Sequence, residues 1–255
     1  MATSTYHLSA ILLVSALAGA APAANPVPER QADMTGNPFE LTLDAPITTW
    51  DEAIPLGNGM LGGLLWGMGN TINLSLDRGD LWDETTAPEF LEDDWNYANM
   101  KRLVAENWGE FARRYDAPYN HAAPTKLPGG RLVLTLGQEK RATRFQLDMK
   151  RALGIVTFDD GSTLECFFSA TERVALLRVD ETGLESRFIR PDGLDRLNYT
   201  PAQFGADNDM SWMTQEASAG LIYATLTGAR RVGGRTLLAV AITTNREDPD
   251  QPDPL

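Results

Sequence analysis

The chain has 255 residues, a hydrophobic content of 43% and a formal net charge of -13. That hydrophobic share suffices for a packed core and excludes wholesale disorder. The acidic balance, with no basic patch, argues against nucleic acid or an anionic membrane as a partner, and the single cysteine, Cys166, excludes an intramolecular disulfide.

Residues 1–23 have the layout of a secretory signal peptide, which implies a secreted or periplasmic protein. Residues 8–21 are apolar but too short to span a bilayer comfortably. Ala21-Pro22-Ala23 fits the small-x-small cleavage rule and leaves Ala24 first, although no Lys or Arg precedes the apolar stretch. No cysteine follows to carry a lipid anchor, and no later segment is apolar for long enough to cross a membrane. Residues 24–38 read as a polar N-terminal tail.

Order is expected to begin with an alternating strand at 39–43. A glycine-rich apolar run follows, carrying Gly57, Gly59, Gly62, Gly63, Gly67 and Gly69. Glycine inside strand-like sequence marks bulges or close backbone approach. Residues 61–66 and 71–76 are predicted to pair as a hairpin across 67–70. From 94 to about 115, Tyr97, Met100, Leu103, Val104, Trp108 and Phe111 fall at helical spacing, which predicts one helix. Glu89, Glu92, Asp93 and Asp94 then read as charges at the helix start. After Pro128-Gly129-Gly130 the chain turns to strands. Leu132, Leu134 and Leu136 alternate, and 154–158 and 162–168 flank a strong Asp160-Gly161 hairpin signal. Strands are expected at 173–179, 221–226 and 236–243, the last two joined across Gly233-Gly234. Residues 188–210 read as a long loop with a short strand. Short strands with turn signals between them predict a mainly β, antiparallel sandwich with one substantial helix and short helical turns.

The candidate chemistry is sparse. Cys166 lies in an alternating run and reads as a small core hydrophobe. His7 and His121 are the only histidines, so neither a cysteine–histidine pair nor a zinc site is indicated. Asp77, Asp80, Asp83 and Glu84 form an acidic cluster. A catalytic pair is one reading, and a solvated turn with Asp80 or Asp83 capping local amides is the plainer one. The spacing misses the EF-hand pattern, and the glycines lack the dinucleotide-binding spacing. Asn58 sits between glycines, where it either contributes to a pocket or occupies a left-handed turn. Trp66 and Trp108 are expected in the core, whereas Trp82, after the acidic loop, is the tryptophan best placed to line a site.

The run from Trp50 to Trp82 resembles the opening segment of family 95 glycoside hydrolases, the α-L-fucosidase group. The shared features are A-I-P-L-G-N-G-M-L-G-G, an apolar strand and a loop closing on Leu81-Trp82. Further blocks follow in the family's order at 130–136, 167–170, 174–179 and 237–245. Where many members have L-N-E-D-T-L-W, this chain has S-L-D-R-G-D-L-W, so contacts from that loop do not transfer directly. The resemblance implies a super β-sandwich over 39–246. It also implies a linker beginning at 247–255 and, beyond it, an (α/α)6 barrel holding the acid, the base and their supporting asparagines. It thus implies no catalytic residue in this chain. Asn58, Gly59, Asp80 and Trp82 are left as candidate sugar contacts, without metal or cofactor. The implied partners are fucosylated glycans and the barrel. The implied activity of a complete protein is inverting hydrolysis of terminal α-L-fucosyl or α-L-galactosyl residues. A stand-alone carbohydrate-binding or structural sandwich is the alternative, and a gene remnant a third.

Overall fold

The computed structural model of the chain describes residues 37–120, 124–137, 139–207 and 209–246. The expected signal peptide, most of the tail, the start of the linker and His121 lie outside the described residues.

Among the described residues, sixteen strands form two facing antiparallel sheets and a two-stranded clip. The smaller sheet has the order β12-β7-β4-β3-β2. Its strands are β2 (Ile54–Gly57), β3 (Leu61–Met68), β4 (Thr71–Arg78), β7 (Gly130–Thr135) and β12 (Glu185–Ile189). The larger runs β1-β8-β9-β10-β11-β16-β15-β14-β13. It comprises β1 (Glu40–Asp44), β8 (Ala142–Asp148), β9 (Leu153–Phe158), β10 (Thr163–Phe168), β11 (Ala175–Val179), β13 (Gln203–Asp207), β14 (Met210–Glu216), β15 (Ile222–Val232) and β16 (Arg235–Thr244). The clip pairs β5 (Trp82–Asp83) with β6 (Thr125–Lys126).

The period of two sorts side chains to the two faces of each sheet. Leu61 and Leu65 of β3, Ile72, Leu74 and Leu76 of β4, and Leu132 and Leu134 of β7 point into the sandwich. They meet Phe145, Val156, Leu164, Cys166, Phe168, Leu177, Val240 and Ile242 from the larger sheet. Full burial of each such side chain contributes roughly 1.5–3 kcal/mol. Cys166 is completely buried, as expected of a core residue, and burial pushes its thiol up to about 12.

Two glycines show why this strand sequence is so rich in them. A Cβ at Gly63 would sit 2.8 Å from Leu74 Cδ1 and 2.9 Å from Phe168 Cζ, so glycine there lets the second sheet close down. Gly67, at the end of the β3–β4 hairpin, has φ 155°. A Cβ there would run into the Thr71 carbonyl and lie 2.9 Å from Ile72 Cα.

The hairpins β3–β4, β9–β10 and β15–β16 form as the sequence indicates. Four expectations are corrected. The single helix over 94–115 is two helices, α1 (Tyr97–Glu106) and α2 (Trp108–Asp116), broken at Asn107. Asn96 and Asn107 each cap the following helix by accepting from a backbone N–H three residues on. Glu92 and Asp94 lie before the helices, and both pair with Arg114 of α2. Trp108 opens α2 beyond the break and is 65% exposed, not core. Trp66 also leaves the core: Leu61, Gly63, Leu65 and Gly67 take the inward positions of β3, so Trp66 faces outward and is half-buried. The stretch 188–210 is more ordered than a loop. It holds the end of β12, a short helix α3 (Asp192–Arg196) and β13.

Helices α1 and α2 lie in an excursion between β5 and β6. It packs mainly on itself, through Phe90 and Trp95 (5.1 Å between centroids), Trp95 and Tyr115 (4.6 Å), and Phe111 and Tyr115 (5.1 Å).

Candidate functional site

The four candidate residues are brought together at one end of the sandwich, around Gly79. The Gly79 N–H donates to the Met60 carbonyl at 2.7 Å, tying the β4–β5 loop to the β2–β3 loop. The Gly79 carbonyl accepts from Trp82 Nε1 at 3.1 Å. Gly59 supplies the left-handed turn, with φ 94°. The left-handed residue of the β2–β3 loop is thus Gly59, and the expectation of such a conformation at Asn58 is corrected.

Asn58 instead works through its side chain. Its Oδ1 accepts from the N–H groups of Met60 (3.0 Å) and Leu61 (2.8 Å). Its Nδ2 donates to the carbonyls of Ser169 (2.7 Å) and Glu172 (3.2 Å). One amide thereby fastens the smaller sheet's β2–β3 loop to the larger sheet's β10–β11 loop.

Asp80 accepts two parallel bonds from Arg78, at 2.7 Å from Nε and 2.8 Å from Nη2. Arg78 is buried and also donates to the Ile242 carbonyl at 2.8 Å. Partial burial would raise the Asp80 carboxyl, but the guanidinium outweighs it and holds the pKa below the usual value. Asp77 pairs with Lys126.

Asp83 is buried at 1% exposure, where the sequence reading placed it in a solvated turn. Oδ1 accepts from the Thr85 N–H at 3.0 Å, which is the local capping expected. Oδ2 accepts from the Tyr199 hydroxyl (2.8 Å) and the Ser218 N–H (3.0 Å), far along the chain. Burial alone would raise this carboxyl, but the three donors prevail and lower it. The same contact, on top of burial, raises the Tyr199 phenol. Arg78, Tyr199 and Ser218 were missed from sequence: nothing local marks the Asp83 partners, which lie more than a hundred residues away, and Arg78, two residues from Asp80, shows no sign of its burial in the local pattern.

A second feature lies on the outer face of the smaller sheet. It is a groove of about 830 Å³. Trp50 and Pro55 wall it on the β2 side, and residues 189–193 with Arg196 on the β12 side. Leu64, Trp66, Ser75 and Arg131 lie on the strands between. Trp66 Nε1 donates to Ser75 Oγ at 3.0 Å, and the Arg131 guanidinium lies 5.3 Å from the Trp66 ring centroid.

The Asp80 and Asp83 carboxylates are therefore held as anions by hydrogen bonds and, at Asp80, by the Arg78 cation. A general acid for glycoside cleavage needs the opposite, a raised pKa in a dry pocket. Among the described residues no group of three or more His, Cys, Asp or Glu is arranged to hold a metal ion. No helix among them is long and apolar enough to cross a membrane.

Residues 41–236 match the family model described as glycosyl hydrolase family 65, N-terminal domain. A similar protein is alpha-L-fucosidase 2 of Arabidopsis thaliana, 29% identical over 171 residues. The alignment covers 59% of this chain and 20% of that protein, so the match spans about a fifth of the relative's length.

Proposed function

The chain belongs to the family of glycosyl hydrolase family 65 N-terminal domains, and from that premise we propose that it is the N-terminal domain of an exported hydrolase of the α-L-fucosidase type. The matched family carries the number 65, where the motif over Trp50 to Trp82 resembles family 95. Both readings make this an N-terminal glycoside hydrolase domain. The observation that carries the fucosidase reading is the 171-residue alignment with a protein named for that activity.

The proposed reaction of the complete protein is inverting hydrolysis of terminal α-L-fucosyl or α-L-galactosyl residues. One carboxyl group protonates the leaving oxygen and a second activates water on the opposite face of the sugar. We assign both groups to a catalytic domain outside this chain. The lowered carboxyls of Asp80 and Asp83 support that assignment, since both are poised to accept protons poorly. In this reading Asn58, Gly59, Asp80 and Trp82 form a rigid end of the sandwich that borders the sugar cleft. Export rests on the apolar stretch 8–21 and the Ala21-Pro22-Ala23 site.

The test is hydrolysis of an aryl α-L-fucoside by the purified 255-residue chain and by a longer polypeptide that joins it to a catalytic barrel. The expected result is turnover with inversion by the longer protein and none by the chain alone. Turnover by the chain that survives purification would overturn the assignment.

A further inference from the structure

The groove on the smaller sheet carries charge opposite in sign to the molecule. The chain has a net charge of -13, yet the groove is lined by Lys126, Arg131, Arg190 and Arg196 against Asp77 and Asp192. Two of these cations are engaged. Lys126 binds Asp77 and the Arg78 carbonyl. Arg190 binds Gln215, Asp195 and the carbonyls of Tyr199 and Thr200.

Arg131 and Arg196 differ. Arg131 projects from β7 opposite Ser75 of β4 and rests on the Trp66 ring. Neither guanidinium has a hydrogen-bond or ion-pair partner among the described residues. A guanidinium held over an indole face keeps N–H groups available for a planar anion such as a carboxylate. At the opposite wall Trp50 is 62% exposed and presents an aromatic surface to the groove. From β2 to β12 the floor crosses four interstrand gaps, about 19 Å in all, which is room for a short oligosaccharide.

We propose that this groove binds an acidic oligosaccharide built from uronic acids. Trp50 packs against a pyranose face, and Arg131 and Arg196 take the carboxylates. The saccharide class rests on the family of the domain. The preference for acid rests on the unpaired arginines alone, and holds whichever sugar a complete enzyme releases.

Calorimetry of the 255-residue chain tests this with galacturonic acid tetrasaccharide, its carboxyl-reduced neutral counterpart and hexaglutamate. The expected result is binding of the acidic tetrasaccharide at least about tenfold tighter than its neutral counterpart, a difference that shrinks steeply as salt rises. Arg131→Gln should remove most of that preference, and Arg196→Gln part of it. Trp50→Ala should weaken both saccharides. Arg178→Gln, on the outer face of the larger sheet, should change neither. Circular dichroism confirms that each variant is folded. No binding, equal binding of acidic and neutral forms, hexaglutamate binding as well as the saccharide, or insensitivity to Arg131→Gln and Trp50→Ala in folded protein would each overturn the proposal.

Discussion

Replacing Asp83 with alanine strands three donors at once: the Thr85 and Ser218 N–H groups and the Tyr199 hydroxyl. A buried donor without an acceptor costs about 1–3 kcal/mol. The vacated space admits some water to Thr85 and Ser218, so the sum is set near the lower end, about 3 kcal/mol. For a domain of this size each kcal/mol lowers the melting temperature by about 2–4 °C, which gives a drop of about 6–12 °C. Asp83→Asn keeps one acceptor but turns an N–H toward another N–H, and should cost about 2 kcal/mol. Thermal unfolding followed by circular dichroism at neutral pH measures both. The sign of the pH dependence follows from the lowered carboxyl. A carboxyl whose pKa is depressed on folding stabilises the protein above its unfolded value, near the ordinary 3.8. That stabilisation is lost as pH falls through the folded value. The gap between wild type and Asp83→Asn should therefore be full at neutral pH and close only below about 3.8. A drop under about 2 °C for Asp83→Ala, or a gap that closes near neutrality, would refute the argument that this carboxylate is a buried structural anion.

Three further outcomes follow from the geometry. Gly63→Val drives a branched side chain against Leu74 and Phe168 and should cost about 1–3 kcal/mol or more in denaturant titrations; a neutral result would mean the sheets part freely there. Asn58→Ala releases the bridge between the β2–β3 and β10–β11 loops, and should lose about 2 kcal/mol with faster amide exchange at Met60 and Leu61. Cys166, fully buried with its thiol near 12, should resist an aromatic disulfide reagent in the native state and react completely in denaturant. Rapid native labelling would show that the core around it opens.

The parts of the fold legible in the sequence are those set by neighbours along the chain. Period-two alternation and glycine or Asp-Gly turns fix the hairpins β3–β4, β9–β10 and β15–β16, because strand polarity and turn geometry are local. The helix break was hidden because the apolar spacing continues across Asn107, while the asparagine that ends α1 also caps α2. Spacing also names an apolar stripe without naming what covers it, and Trp108 is exposed for that reason. The candidate end of the sandwich was legible as Asn58, Gly59, Asp80 and Trp82. Its organising contacts were not, since Arg78 reaches Ile242 and Asp83 reaches Tyr199 and Ser218. Arg131 left no signal either. Its place beside Trp66 depends on β7 lying next to β4, a pairing that no local pattern specifies.

The clip joining Trp82 to Lys126 and Asp83 to Thr125 is a narrow neck. Helices α1 and α2 lie between those pairs, held together by their own tilted aromatic contacts. Such an appendage behaves as a separate unfolding unit. Deuterium should enter α1 and α2 through a low-energy opening while the strands β4, β7 and β10 stay shut. Chain breaks or grafted segments placed there would leave the sixteen-strand frame standing.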